Sequence, residues 1–255
     1  MHTFTNRVVP EPGDTIVTAT LSPPRLEVLN LVPLQSVFYD QQVRALEARG
    51  VSCTTLVVPG GVGETHSHSL TDYLRFYPRV LRGSLADFDL IHANFGLTAP
   101  HALAQPHLPV VVSLWGTDLY GRYGPVSKLA ARFADAVIVM SEEMSRAVPV
   151  DCAVVPHGVD TELFRPFPRR EARREVGWSP DRRHVLFPYP ADRTVKNYDL
   201  AATVVERAAD RTDDPVELHD VWGVDHERMP TYMNAADALL LTSRREGSPN
   251  SVKEA

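Results

Sequence analysis

A chain of 255 residues with 44% hydrophobic content is long enough for two cored domains and too apolar for a disordered protein. Its net charge of −6 and pI near 5.9 supply no basic field for a phosphate backbone, so nucleic acid is excluded as a partner class and a small polar ligand fits better. Cys53 and Cys152 both sit in apolar runs, where buried thiols are expected rather than a disulfide or a metal pair, which implies a reducing cytoplasm.

Residues 1–24, rich in Pro, Thr and Gly and without periodicity, predict a poorly ordered tail with no apolar core for a signal peptide. From residue 25 short apolar runs alternate with helical patterns. LEVLNLV precedes QSVFYDQQVRALEARG, CTTLVVP precedes SLTDYLRFYPRVLRG, DLIHAN precedes LTAPHALAQ, and VVVSLW precedes PVSKLAARF, with AVIVM, SEEMSRAV and CAVVP completing the set. This alternation predicts a parallel, doubly wound sheet covered on both faces, a Rossmann-like domain over residues 25–160. The helix after Ser69 places Leu70, Tyr73, Leu74, Tyr77 and Leu81 on one face and Arg75, Arg79 and Arg82 elsewhere. A core helix is expected, with peripheral contact to an anionic membrane as the alternative.

Residues 161–182 are charged and strand-free, which suits a linker carrying a surface helix. A second alternation fills residues 183–255: HVLFPYP, YDLAATVVERAA, VELHDVW, HERMPTYMNAA, DALLLTS and a helix opening at SPNSVKEA. That stretch is about half of a typical domain of roughly 150 residues, so an incomplete second domain is expected. The longest apolar runs, VVVSLW and DALLLT, are too short to span a bilayer.

In doubly wound sheets ligands bind beyond the carboxyl ends of the strands, which directs attention to the segments following each apolar run. Ser248 reads as an N-cap with Pro249 at the first helical position, so the amides of Asn250 and Ser251 would face an anion. Glu246 before this helix and Glu254 on its second turn would flank that anion and accept hydrogen bonds from vicinal hydroxyls. Arg193 and Lys196 follow the first strand of the second domain and would neutralise charge on a departing diphosphate. His92 and Asn94 end a first-domain strand and His157 follows another, which makes all three candidates for the acceptor side, with satisfied structural histidines as the alternative. GGVGET at 60–65 carries Glu64 where a phosphate loop needs Lys, so a plain turn is expected. D-F-D at 87–89 precedes its strand and lies at the wrong edge for metal binding. No G-x-G-x-x-G follows a strand, which disfavours a nicotinamide dehydrogenase.

PHGVDTELFRP, ADRTVKNYDLA, MNAADALLLTSRREGSPNSVKEA and WGTDL together resemble the retaining glycosyltransferases of family 4, whose GT-B fold sets two Rossmann-like domains across a cleft. E-G-S-P-N-S-V-K-E is similar to that family's two-glutamate motif, with seven residues between the acids. The resemblance implies that Glu254 holds the donor ribose, that Glu246 and the backbone of Gly247 and Ser248 touch the donor sugar, and that Arg193 and Lys196 hold the diphosphate. Thr117 and Asp118 match the family's H-G-x-D segment near the reacting centre. Trp115 stands in the usual histidine place and suggests stacking on a sugar face. Ala191 occupies the usual arginine position, and the role passes to Arg193. The Gly-Gly turn after the first strand is replaced by PLQSVFYD.

The implied activity is transfer of a sugar from a nucleotide-sugar co-substrate to a carbohydrate or lipid-linked acceptor, with retention by front-face attack. Catalysis would fall to Asp118, Glu246, Arg193 and Lys196, with no cofactor and no metal. The expected setting is the cytoplasm, with peripheral contact at the inner membrane face. The alternatives are a nucleotide-sugar epimerase of the same fold and a non-catalytic nucleotide-sugar-binding fragment.

Overall fold

The computed structural model describes residues 25–60 and 68–255. The tail expected over 1–24 and all but Gly60 of the 60–65 turn therefore lie outside the described residues. Strands β1 (Leu26–Val32), β2 (Val51–Val57), β3 (Leu90–Ala93), β4 (Val110–Leu114), β5 (Ala136–Val139) and β6 (Ala153–Val154) form one sheet in the order β2-β1-β3-β4-β5-β6. Every pairing is parallel, with Leu29 beside both Thr54 and Ile91 in the centre. Parallel strands need crossovers, and α1 (Val37–Glu47), α2 (Leu70–Gly83), α3 (Ala99–Leu103), α4 (Gly116–Tyr120), α5 (Gly124–Ala131) and α6 (Glu142–Ala147) provide them. Leu29, Leu31, Ile91, Val112 and Leu114 are fully buried on one face of this sheet, whereas Val28, Leu90, Val111 and Ile138 on the other line a cavity, so the cover expected on both faces is only partial there.

Side-chain caps fix where the helices begin. Ser36 accepts the amide of Tyr39 at 3.3 Å to start α1. Ser69 and Asp72 exchange hydrogen bonds as a capping box on α2. The buried face of α2 is Phe76 and Val80, with Leu70 and Leu74 exposed to solvent, so the expected stripe of Leu70, Tyr73, Leu74, Tyr77 and Leu81 is rotated. Phe76 and Val80 lie four residues apart and dock on the core, which outweighs the leucines nearer the helix start. Cys53 and Cys152 are free and half-buried, not fully buried as expected. Asp89 of the D-F-D run accepts the amide of Glu27 at 2.7 Å and so ties the entrances of β1 and β3 together.

The second sheet has three parallel strands in the order β8-β7-β9: β7 (Arg183–Phe187), β8 (Val216–Asp220) and β9 (Ala238–Leu239). Helices α7 (Arg169–Val176), α8 (Tyr198–Ala209), α9 (Met229–Ala235) and α10 (Asn250–Glu254) complete this half. The helix expected on a linker surface, α7, instead packs on α9 and buries Ala172 and Arg173. The strand expected over DALLLTS pairs only at 238–239, because Thr242 and Arg244 turn away to bond the carbonyls of residues 195–197. Among the described residues no helix is long and apolar enough to cross a membrane.

Candidate functional site

A cavity of about 510 Å³ separates the carboxyl edges of the two sheets. The first sheet contributes Trp115, Gly116 and Thr117 after β4, Met140 after β5 and His157 after β6. From the second come Tyr189, Arg193 and Lys196 after β7, and residues 245–250 after β9. Strand ends converge here because all strands in each sheet run the same way.

Lys196 is held from both sides. A tight turn, in which the Lys196 amide donates to the Arg193 carbonyl at 2.8 Å, puts both cations on one edge. Asn197 follows with φ of 58°, in the left-handed region, and swings the chain into α8. Thr242 Oγ1 donates to the carbonyls of Lys196 and Asn197 at 3.0 and 2.9 Å, so the loop cannot drift from the segment after β9. Lys196 is 6% exposed, and its ammonium lies 2.6 Å from Glu246 Oε1 and sits 3.6 Å above the Tyr189 ring. An anion and a π-face together offset the hydration that this buried cation gives up. Arg193 is exposed at the rim of the same cavity.

On the opposite wall Trp115 packs against the His157 ring with centroids 4.2 Å apart, and its Nε1 donates to the Asn94 carbonyl at 2.9 Å. Burial, and then the nearby Lys253 charge, push the His157 imidazole down to about 4, so it is neutral near pH 7. Asp118 does not line the cavity. It is 2% exposed and accepts the amides of Gly96 and Trp115, the latter at 2.6 Å. Burial pushes its carboxyl up to about 7 against the backbone amides that pull it down. Its expected place beside the reacting atoms is corrected to one beneath the Trp115–Thr117 wall, because the start of α4 supplies amides that need an acceptor.

The expected cleft residues Trp115, Thr117, His157, Arg193, Lys196, Glu246, Gly247, Ser248 and Asn250 all line one hollow. Ser251 and Glu254 do not. Ser251 is buried and shares a 2.9 Å hydrogen bond with the Tyr189 hydroxyl, while Glu254 sits 3.9 Å from His226 with its carboxyl raised by burial. His92 and Asn94 are also outside it. His92 lines an adjoining cavity of about 700 Å³ and contacts Ser113 Oγ at 2.7 Å; the Asn94 amide donates to Gln42 Oε1 at 3.0 Å. Ser248 does not cap α10. Pro249 takes that position with extended backbone, and the Ser248 hydroxyl receives Lys253 Nζ at 3.0 Å instead.

Sequence reasoning missed Phe38, Tyr189 and Arg245 in the lining. Tyr189 follows a strand end directly, so the rule that found Arg193 could have found it. Lys253 and Arg245 bridge the halves, donating to the His157 carbonyl at 2.8 Å and the Tyr120 carbonyl at 3.1 Å. Between these bridges the backbones meet, since a Cβ on Gly116 would come within 3.2 Å of the Gly247 nitrogen.

Residues 35–163, half of the chain, match Glycosyltransferase Family 4. A Bacillus subtilis protein named as a teichuronic acid biosynthesis glycosyltransferase, TuaC, is 27% identical over 195 residues, covering 66% of this chain and 50% of its own. The chain thus spans about half the length of that curated relative. The sucrose-phosphate synthase of Thermosynechococcus elongatus has a similar structure, with a TM-score of 0.67 at 17% identity over 90% of this chain and 78% of that one. The catalytic domain of Arabidopsis thaliana Starch Synthase IV, bound to ADP and acarbose, gives 0.64 at 12% over 90% and 80%. Anabaena HepE with UDP and glucose gives 0.57 at 15% over 88% and 75%.

Proposed function

The chain belongs to glycosyltransferase family 4 and has the GT-B fold of two Rossmann-like sheets, and on that premise we propose that it moves a sugar from a nucleotide-sugar donor to an acceptor with retention at the anomeric carbon. One observation carries the reading: the Lys196–Glu246 pair, its lysine buried and its glutamate a quarter exposed, stands in the cleft with Arg193 at its rim and Trp115 opposite. A partly desolvated ion pair adds little to stability on its own account. A diphosphate entering beside Lys196 shares the ammonium with Glu246, and the carboxylate becomes free to accept a donor hydroxyl.

In this reading the bond from the anomeric carbon to the diphosphate oxygen breaks while the acceptor oxygen bonds to the same face. The acceptor proton passes to the departing diphosphate, whose growing charge Arg193 and Lys196 stabilise. Trp115 offers a flat surface to a sugar ring, and Asp118 is a positioning residue that holds the Trp115 and Gly96 amides. The family resemblance gives the donor ribose to Glu254, which lies outside this hollow beside His226. The adjoining cavity, lined by Val28, Leu90, Val111 and Ile138 as well as His92, favours an acceptor with an apolar portion, as a lipid-linked glycan has.

The test is a thermal-shift panel of UDP- and ADP-sugars, chosen because two similar structures hold UDP and ADP. A donor that raises Tm is expected to lose that effect in Lys196→Ala and Glu254→Ala. NMR of the product formed with a lipid-linked acceptor is expected to show the donor's anomeric configuration. Inversion, or a new sugar formed from donor alone, sinks the reading and points to the epimerase class.

A further inference from the structure

The second sheet carries a constellation that the cleft does not use. His184 lies on β7, and Glu217 and His219 lie on β8, the neighbouring edge strand. Residues 217 and 219 alternate with Leu218 and so project to one face, and His184 pairs with Glu217 in the ladder. None of the three lines the cavity between the sheets.

Hydrogen-bond chemistry fixes which atoms face one another. His184 Nε2 lies 2.7 Å from the Ser179 carbonyl, which can only accept, so this nitrogen carries the proton and Nδ1 presents a lone pair. That Nδ1 is 2.8 Å from His219 Nε2 and 3.4 Å from Glu217 Oε2, and the last two atoms are 3.7 Å apart. One proton on His219 Nε2 satisfies a single edge of this triangle. It leaves a carboxylate oxygen facing the His184 lone pair, two acceptors with nothing between them. A cation at the centre satisfies all three.

The triangle has the dimensions of a coordination face. Tetrahedral zinc with bonds of about 2.0–2.1 Å holds its ligands about 3.3 Å apart, and the three observed separations bracket that value. Trp178 stacks on His219 at 3.9 Å and on His184 at 5.0 Å, which restricts the rotation of both rings. The Ser179 carbonyl is the outer partner that a metal-bound imidazole ordinarily has. The second oxygen of Glu217 is already engaged by Arg182 at 2.6 Å, which fixes the carboxylate as well. His184 is fully buried, while the side chains of His219 and Glu217 are 23% and 35% exposed, so a fourth position opens to solvent.

We propose that His184, Glu217 and His219 bind a divalent transition-metal ion of the zinc class. Two imidazoles and one carboxylate suit such an ion and not magnesium or calcium, which take oxygen ligands. The ion clips the edge strand β8 to β7 and, through Ser179, to the segment leaving α7. Its effect falls on the stability of the second sheet rather than on transfer in the cleft, where no metal is invoked.

The experiment is equilibrium dialysis of chelator-treated protein against zinc, with bound metal counted by mass spectrometry and Trp178 fluorescence followed. The protein is expected to take up zinc at one equivalent, raise its Tm by several degrees and change its fluorescence, with magnesium doing none of these. Glu217→Gln, nearly isosteric and partly exposed, and His219→Ala are each expected to weaken zinc binding by more than about tenfold. Failure to bind an equivalent of zinc overturns the proposal. Equal affinity in both variants also overturns it, because the ion then sits on other histidines.

Discussion

The first sheet closes over a continuous apolar interior in which Leu29, Leu31, Phe76, Ile91, Val112 and Leu114 are each no more than 1% exposed. The second buries a much smaller cluster around Leu186, Val221 and Ala236, and its middle strand is anchored by a carboxylate. Asp237 accepts the His184 amide at 2.7 Å and Arg173 at 2.6 Å, with Arg169 at 3.0 Å and Arg183 at 3.7 Å beyond. Burial pushes this carboxyl up, but the His184 amide and the arginines outweigh it and hold it below the usual range. The contrast shows that one architecture can be held either by undirected apolar burial or by a few directed charges. The second kind fails when one partner goes.

The largest expected effect follows from that. Asp237→Asn strands Arg173, whose side chain is 10% exposed, and is expected to cost about 3–5 kcal/mol in urea unfolding, with Trp178 reporting early loss of the second sheet. A variant as stable as the parent would break the comparison. Leu114→Ala is expected to cost about 3 kcal/mol, and to do so equally at low and high salt, because nothing charged is lost. A salt-dependent cost there would blur the distinction between the halves.

A pH series sharpens it further. Burial pushes the His92 imidazole in the first sheet down to about 4, so between pH 6.5 and 4 the unfolded chain binds a proton that the native chain does not. Its contribution is present above pH 6.5 and lost as pH falls through that window, by up to about 3 kcal/mol. His92→Gln is expected to remove that part of the acid sensitivity while changing little at pH 8. The smallest effect is expected from Gly116→Ala, whose new methyl forces the facing backbone back by tenths of an ångström and weakens donor binding about threefold in a calorimetric titration.

Much of this organisation was legible from the residues. Helix α8 starts at Tyr198 and ends at Ala209, where the pattern YDLAATVVERAA places it, and the strand-end rule brought Arg193, Lys196 and Glu246 to one hollow. Asp118 was misplaced, although a carboxylate three residues after Trp115 is itself a helix-start signal that points the side chain back at amides. Ser248 failed as a cap because the helix starts one residue later, with Pro249 in the cap position, and its hydroxyl accepts from Lys253 instead. The Lys196–Glu246 pair and the two bridges from Arg245 and Lys253 join residues 50 to 125 positions apart, and no local pattern encodes such distances. The His184–Glu217–His219 triangle is hidden for the same reason, since its members meet only through strand pairing.

The touching glycines at 116 and 247 have a mechanical consequence. Two main chains in contact without side chains set a closest approach of the cleft walls that a residue with a Cβ at either position would hold apart. Arg245 and Lys253 fasten the walls to either side of that contact through backbone carbonyls, so the seam does not depend on which side chains face it there.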